Sequence, residues 1–532
     1  MSPRPFLAAA LSAALATSPA LAQSEERPDE DALFGGGEDD TPAQDTPPRD
    51  APAADRPDEE AVFGGDPAQA EPEGPAARPP TPTGETGDAR DAEALSGPAA
   101  RSAFDSEEAV DDPLKIGGQF YVRANVAGNE SASFGNTGFS APTLVDGYFD
   151  ARPTDRLRGF VVGRLSYDPT LAAQTDASAP SNPRVLLDQA WLRFDIARTV
   201  FLTVGKQHVK WGTGQIWNPT DFLSPQRRNP LAFVDLRTGV SMVKVHVPWE
   251  ARGWNFYGIA VVDDLGTDAG AVTDPSGGPS EPGGSDPVNR LSRIGGALRA
   301  EVVLGPAEIG ASTVAQRGRK PRFGLDVSSG LGPFDVYAEV GLKKGTDRPL
   351  YRVPEGTTLQ DIIERGIEVE AYIPSGLTPQ VTGGANYTFA YGENDLAVLG
   401  VEYFYNSTGY TSSFGYPYLI SQNAFQPLYN GRHYGAAYLL LDRPGSLEYT
   451  SFSLFTLSNL SDRSYISRLN MTHRALSYLT VEAYGAVHYG RKGGEFRLGF
   501  SVPDVFVNEE KIPGFSVPAP TFELGVGLRI SL

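Results

Sequence analysis

The last twelve residues, TFELGVGLRISL (521–532), split into two sets. Phe522, Leu524, Val526, Leu528, Ile530 and Leu532 fall on one side, and Thr521, Glu523, Gly525, Gly527, Arg529 and Ser531 on the other. A helix would smear these sets around its axis, whereas a strand separates them. The split recurs along the chain. Val336, Ala338, Val340 and Leu342 oppose Tyr337, Glu339 and Lys343, and Leu479, Val481, Ala483 and Val487 oppose Glu482, Tyr484 and His488. Phe120, Val122, Ala124 and Val126 oppose Tyr121, Arg123 and Asn125, while Leu298 and Ala300 oppose Arg299 and Glu301. Such segments run about 9–12 residues, the length of a tilted strand that crosses a bilayer. Short breaks (LGPAEI, GLGPF) and long ones (263–290, 344–376, 410–431) separate them. Lipid offers no partner for a backbone N–H or C=O, so a sheet placed there must close on itself.

The N-terminus reads MSPRPFLAAALSAALATSPALAQ. One Arg, an apolar run from Phe6 to Ala16 and an Ala20-Leu21-Ala22 site describe a secretory signal peptide over 1–22. The run is shorter than the ~20 residues a spanning helix needs. The chain has no Cys, which excludes disulfides and thiolate metal sites.

Charge is unevenly spread. Residues 23–112 hold 26 acidic residues against 6 Arg, leaving 38 basic and 40 acidic residues in 113–532. The acidity therefore belongs to the tail, and nucleic-acid binding, which needs net basic surface, is not expected. Rich in Pro, Ala, Asp, Glu and Gly, segment 23–112 cannot bury enough apolar area to offset chain entropy, and disorder is expected there. Within it one phrase is written twice: RPDEDALFGGG at 27–37 and RPDEEAVFGGD at 56–66. Asp29, Glu30, Leu33, Phe34, Gly35 and Gly36 correspond to Asp58, Glu59, Val62, Phe63, Gly64 and Gly65. An apolar pair preceded by acidic charge is suited to docking in a partner's groove, and two copies on one tether raise avidity. In a bacterial barrel the termini face the periplasm, so the expected partner is a periplasmic or inner-membrane protein.

Residues 113–532 read as an all-β, antiparallel transmembrane barrel of 16 or 18 strands, an even number being usual for a single bacterial chain. Its apolar face is expected to meet outer-membrane lipid, with the polar face around a watery hollow. Aromatics near segment ends (Tyr387, Phe389, Tyr391, Tyr403, Phe404, Tyr405) are expected to form interfacial girdles.

The stretch FLTVGKQHVKWGTGQIWNPTDFLSPQRRNPLAFVDLRTGVSMVKVHV (201–247) is more specific. Gly205, Lys206, Gln207, Trp211 and Gly212 form a strand end of the type L-x-x-G-(K/R)-Q-x-x-x-W-G. Asn218, Pro219 and Asp221 follow as N-P-x-D, and Arg237 and Gly239 lead into the next strand. This resembles a broad family of porin-like outer-membrane β-barrels. The resemblance implies partnership with inner-membrane exporters of the resistance–nodulation–division type, so an exporter component is the implied partner of the tail.

Within this stretch Lys206, His208 and Lys210 alternate, as do Lys244 and His246 after it. Turned inward, these five would line one lumen wall and favour anions. Leu202 and Val204 share the phase of Lys206, so this reading needs a face switch, for which a bulge at Gly205 is the expected device. Segment 217–233 is too long and irregular for a tight turn. It is either a surface loop or a constriction folded into the lumen, with Asp221, Arg227 and Arg228 as lining. No G-x-S-x-G or H-E-x-x-H motif is present, so no catalytic residues and no cofactor are assigned. The sequence thus reads as a channel for a solute or an amphiphilic, lipid-like cargo. The alternatives are a non-conducting anchor for the tail and, last, an outer-membrane lipid hydrolase.

Overall fold

The computed structural model describes residues 113–532 apart from 132–136, 172–181, 263–293, 355, 392–394, 503, 508–509 and 513. The signal segment, the acidic tail and both copies of its repeated phrase lie outside the described residues.

Eighteen strands form the ring, at the upper of the two expected numbers. In chain order they are β1 (Leu114–Asn129), β2 (Thr143–Thr154), β3 (Leu157–Tyr167), β4 (Arg184–Ile196), β5 (Val200–Gln207) and β6 (Val240–Trp249). Next come β7 (Trp254–Val261), β8 (Gly295–Leu304), β9 (Ala307–Ala315), β10 (Arg322–Leu331), β11 (Phe334–Lys344) and β12 (Leu377–Ala390). The last are β13 (Leu396–Asn406), β14 (His433–Asp442), β15 (Thr450–Asn459), β16 (Ser464–Leu476), β17 (Leu479–Gly490) and β18 (Pro520–Ser531). Each pairs antiparallel with its neighbour in sequence, and β18 closes on β1 from Gln119↔Ser531 to Asn129↔Pro520. The final segment of the sequence is thus the closing strand. A further three-residue strand, Gly138–Ser140, pairs with β1 beside that seam.

Closure leaves the two ends unequal. At one end sit both ends of the barrel segment and the connections 155–156, 197–199, 250–253, 305–306, 332–333, 391–395, 443–449 and 477–478. At the other lie 130–142, 168–183, 208–239, 262–294, 345–376, 407–432 and 491–519, with two shorter links, 316–321 and 460–463. In bacterial outer-membrane barrels the short-turn end is periplasmic.

Alternation sorts the side chains. Val161, Leu165, Leu192, Leu298, Leu325, Val401, Leu469, Val526 and Leu528 all point outward and are exposed, Leu298 at 62% and Val526 at 54%. A soluble protein would not leave so continuous an apolar face in water; a lipid-facing barrel requires it. Aromatics mark both rims. Trp249 and Trp254 pack edge to face at the periplasmic rim, where Tyr391, Tyr449 and Tyr478 are also exposed. At the other rim Tyr403 is exposed and Tyr465 stacks on Tyr489. Phe404, expected in a girdle, instead points inward and is fully buried. It follows Tyr403 by one residue, so the pleat turns it to the other face.

The inner wall carries ion pairs. Arg164 binds Asp146 at 2.8 Å, Arg158 binds Asp150 at 2.8 Å, and Arg299 joins Glu301 and Asp326 at 2.7 Å each. It is not polar throughout, however. Phe404, Tyr434, Tyr438, Phe455 and Leu457 from β13–β15 form a buried inward cluster with Ile216 and Trp217. Met242, Ile259, Ala297 and Val314 from β6–β9 form a second with Trp211, Phe222 and Leu223. The expectation of a hydrophilic inner face fails at these two patches because a loop brings its own apolar side chains to them.

Candidate functional site

That loop is 208–239, between β5 and β6, and it crosses the lumen rather than leaving the barrel. Two carboxylates on the far wall hold it. Glu339 on β11, at 0% exposure, accepts hydrogen bonds from the backbone N–H groups of Thr213, Gly214 and Thr220 and from Thr220 Oγ1. Glu402 on β13, at 3%, accepts from the N–H groups of Gln215 (2.8 Å), Ile216 (3.1 Å) and Trp217 (2.7 Å) and from the Tyr337 hydroxyl (2.6 Å). Successive N–H groups converging on a carboxylate replace the water that a buried anion would otherwise lose.

Packing completes the attachment. The Trp217 ring stacks on Phe404 at 5.7 Å and donates its Nε1–H to Leu428 O at 3.0 Å. The loop runs so close to the wall that Gly341 has no room for a Cβ, which would meet Pro219 O at 2.6 Å. Gly212, at φ +93°, makes the turn that aims the next N–H groups at Glu339. On the return limb Phe233 reaches the opposite wall and packs near Tyr484 and Arg468. Of the two readings of 217–233, the structure shows the one inside the barrel.

A pocket in the loop is lined by Lys210, Gly214, Gln215, Ile216, Asn218, Asp221, Arg227, Arg228 and Arg237, with Tyr429 from loop 407–432. Arg237 reaches Asp221 at 3.2 Å and Asp235 at 2.7 Å. Arg227 donates to Asn218 O at 3.2 Å and lies over the Tyr429 ring at 4.9 Å.

The structure distributes the candidate residues as follows. Lys210, Asp221, Arg227 and Arg228 come together in this pocket. Lys244 and His246 are buried on the inner wall of β6, where His246 stacks on Tyr257 and meets Asn255 at 2.9 Å near the periplasmic end. His208 stands at the loop's entrance, bonded to Asp188 at 2.9 Å. Lys206 is the exception and does not line the lumen. The β5 pairings run without a register shift, so it keeps the outward phase of Leu202 and Val204, and its Nζ bonds Leu187 O at 2.7 Å. Gly205 does have a positive φ of 127°, but it inserts no extra residue. The irregularity lies in β4, where the pairing slips between Val162↔Gln189 and Gly163↔Leu187 and leaves Asp188 and Gln189 both buried. The five basic residues therefore do not form one wall.

Glu339 and Glu402 escaped the sequence reading. Glu339 stood only as one more polar residue of its strand, and Glu402 was not singled out. Their signal is that a lone carboxylate at mid-strand, with Tyr or Gly beside it, needs donors from elsewhere.

A second latch joins two of the long loops at the long-loop end. Glu495, in loop 491–519, accepts from Leu428 N–H, the Tyr434 hydroxyl (2.5 Å) and Asn459 Nδ2 (2.8 Å). Its own N–H donates to Asp462 at 2.8 Å, as does the Tyr416 hydroxyl at 3.1 Å. Burial, with the nearby Asp462 charge, pushes the Glu495 carboxyl up to about 7 from 4.5. The folded form then holds a proton that the unfolded form has released, so this contribution is full below about pH 4.5 and is lost as pH rises through about 7. Corrected for the base-catalysed intrinsic rate, amide protection in loop 407–432 is therefore expected to be lower at pH 8 than at pH 5, and Glu495→Gln to flatten that difference. Equal protection at both values would refute the latch.

No family model matches the chain, and no curated protein matches it in sequence. Solved structures resemble it in shape. Acinetobacter baumannii OccAB1 aligns with a TM-score of 0.47 at 9% identity, over 81% of this chain and 99% of that one. Pseudomonas aeruginosa OccK2 (OpdF), solved with glucuronate, gives 0.42 at 11%, over 79% and 98%. A Rhodopseudomonas blastica porin variant gives 0.36 at 10%, over 79% and 100%. Strand number, register and loop placement come from this chain's own geometry. In architecture the chain is a transmembrane-type β-barrel: eighteen antiparallel strands closed around a lumen that one long loop spans.

Proposed function

We propose that the protein is an outer-membrane channel for water-soluble solutes, narrowed by loop 208–239. The observation that carries this reading is the pair of wall carboxylates, Glu339 and Glu402, that holds the loop's backbone across the lumen. An anchor needs no such device, whereas a selective passage needs a rigid narrow point lined by chosen side chains. Charged lining at Lys210, Asp221, Arg227, Arg228 and Arg237 suits a hydrated solute. An acyl chain would have to desolvate those charges, which disfavours lipid-like cargo. Purified protein in a planar bilayer is expected to give discrete single-channel steps. A silent barrel would return the reading to a scaffold, and release of fatty acid from phospholipid vesicles would return it to a hydrolase.

The acidic tail is proposed to tether the barrel to a periplasmic or inner-membrane partner through its two copies of RPDE-x-A-x-FGG, an exporter component being the partner implied by the resemblance. If that tail is the coil its composition leads us to expect, its roughly 90 residues would have an r.m.s. span near 50–55 Å and reach further when stretched. The double variant Phe34→Ala/Phe63→Ala is expected to lose crosslinked partners by ten-fold or more, on the order expected when avidity is removed. An unchanged crosslinking pattern would end the tether proposal.

A further inference from the structure

Two short links lie at the long-loop end, and their sequences differ. Link 460–463, Leu-Ser-Asp-Arg, carries one charge of each sign. Link 316–321, Gln-Arg-Gly-Arg-Lys-Pro, carries three cations and no acid. It turns β9 into β10, with the Arg319 N–H donating to Gln316 O at 3.1 Å. Arg317 and Lys320 are exposed on it. Register brings a third exposed cation alongside. Arg322 of β10 pairs with Lys343 of β11, so Lys344, the next and last residue of β11, stands level with the link. Asp347 is close, but its buried side chain faces Arg322 Nη2 at 3.1 Å and the Lys320 N–H at 2.8 Å. Arg319, Lys343 and Arg348 have partners of their own. Among the described residues the side chains of Arg317, Lys320 and Lys344 form no ion pair.

Directly below these three charges the outer face is apolar. Phe323 and Leu325 point outward, 55% and 53% exposed, opposite Leu342 and Val340 of β11. Lys344 keeps the outward phase of Leu342 and pairs with Leu377 of β12, which is 70% exposed. At about 3.3 Å per residue, Lys320 stands no more than ~10 Å above Phe323. That height is within reach of the headgroup layer over a hydrocarbon core.

We infer that this sector of the rim, over β9–β12, is a seat for a lipid with a phosphorylated headgroup. Its acyl chains lie along Phe323, Leu325 and Leu342, and its phosphate oxygens meet Arg317, Lys320 and Lys344. A soluble phosphate would use the cations and leave the apolar strip idle; an uncharged lipid would do the reverse. Ammonium and guanidinium groups are matched donors for phosphate oxygens. Each cation held near an anionic lipid surface adds roughly five-fold to binding. The seat is on the outside of the barrel, so it does not depend on the channel reading.

Native mass spectrometry of the full chain in a neutral detergent tests it, with a bisphosphorylated diglucosamine lipid as the probe. The native chain is expected to retain this lipid about ten-fold or more better than the same lipid stripped of both phosphates. Arg317→Glu/Lys320→Glu/Lys344→Glu is expected to abolish that preference while still running as a folded barrel on an unheated gel. The corresponding Gln triple, which adds no repulsion and serves if the Glu triple does not fold, should lower the preference by about ten-fold or more. Arg198→Glu/Arg443→Glu, at the short-turn rim, should leave it intact. Equal retention of the two lipids by the native chain, or an unchanged preference in the Gln triple, overturns the seat. So does an equal loss in the short-turn variant, which would mark a diffuse charge effect. Displacement of the lipid by an equimolar amount of inorganic phosphate would reassign the cations to a soluble anion and also overturn it.

Discussion

Replacing Glu339 and Glu402 together by Ala is expected to release loop 208–239 from the wall while the barrel stays closed. The native carboxylates accept N–H donors from Thr213 through Trp217 and from Thr220. Removing an acceptor leaves a buried donor unsatisfied, at about 1–3 kcal/mol each where water cannot replace it. With partial rehydration the loop should lose roughly 3–6 kcal/mol of docking free energy. Strands β11 and β13 lose nothing from their ladders, which are backbone to backbone. The variant should run as a folded barrel on an unheated gel, conduct more than the native chain, and flicker. Trypsin should cut after Arg227 or Arg228 far faster than in the native protein. The Glu→Gln pair keeps one acceptor oxygen per side chain and should fall between the two. Native conductance and native trypsin resistance in the Ala pair would disprove the clamp.

The second large effect concerns the opposite face. Val401 lies midway along β13, points outward and is 51% exposed. Val401→Arg should cost about 2–4 kcal/mol of folding free energy in lipid, the range for Arg at a bilayer midplane. Measured by urea titration in vesicles, that loss is the expected outcome; a change below about 0.5 kcal/mol would show that the outer surface does not meet hydrocarbon. The chain itself supplies the contrast. Lys206 is an outward cation, but it lies one residue from the extracellular end of β5, where its ammonium has a carbonyl partner in Leu187. Near the interface such a charge costs little.

Much of the barrel was legible because each strand carries its own period-two record. Leu298 against Arg299, or Val526 against Gly527, separates two faces with no reference to any other strand, while the signal segment and the aromatics near segment ends pointed to lipid on the apolar one. Closure followed from chemistry, since lipid leaves no edge satisfied. The loop inside the barrel was only half legible. Asp221, Arg227 and Arg228 stood out as charges in a long irregular loop, but their gathering with Lys210, Arg237 and Tyr429 is a fact about three-dimensional approach. Lys206 shows the limit most clearly. A bulge near it was the right kind of device, yet the slip sits at Asp188 on the neighbouring strand, where it turns an acidic residue inward and leaves the lysine outside. A ladder can absorb an extra residue on either partner, and nothing local to β5 reveals which. Glu339 and Glu402 were hidden for the same reason: their partners lie more than a hundred residues earlier, on backbone that has no side-chain signature.

The clamp engages the loop mainly through peptide N–H groups, which every residue except proline supplies. The amino acids displayed at the narrow point are therefore not what fastens them there. Lineages could exchange those displayed residues, and so retune what is admitted, while the scaffold goes on holding the same ribbon. For an engineer the same separation makes this barrel a candidate frame for sensing pores, in which the detector is rewritten and its mount is left alone.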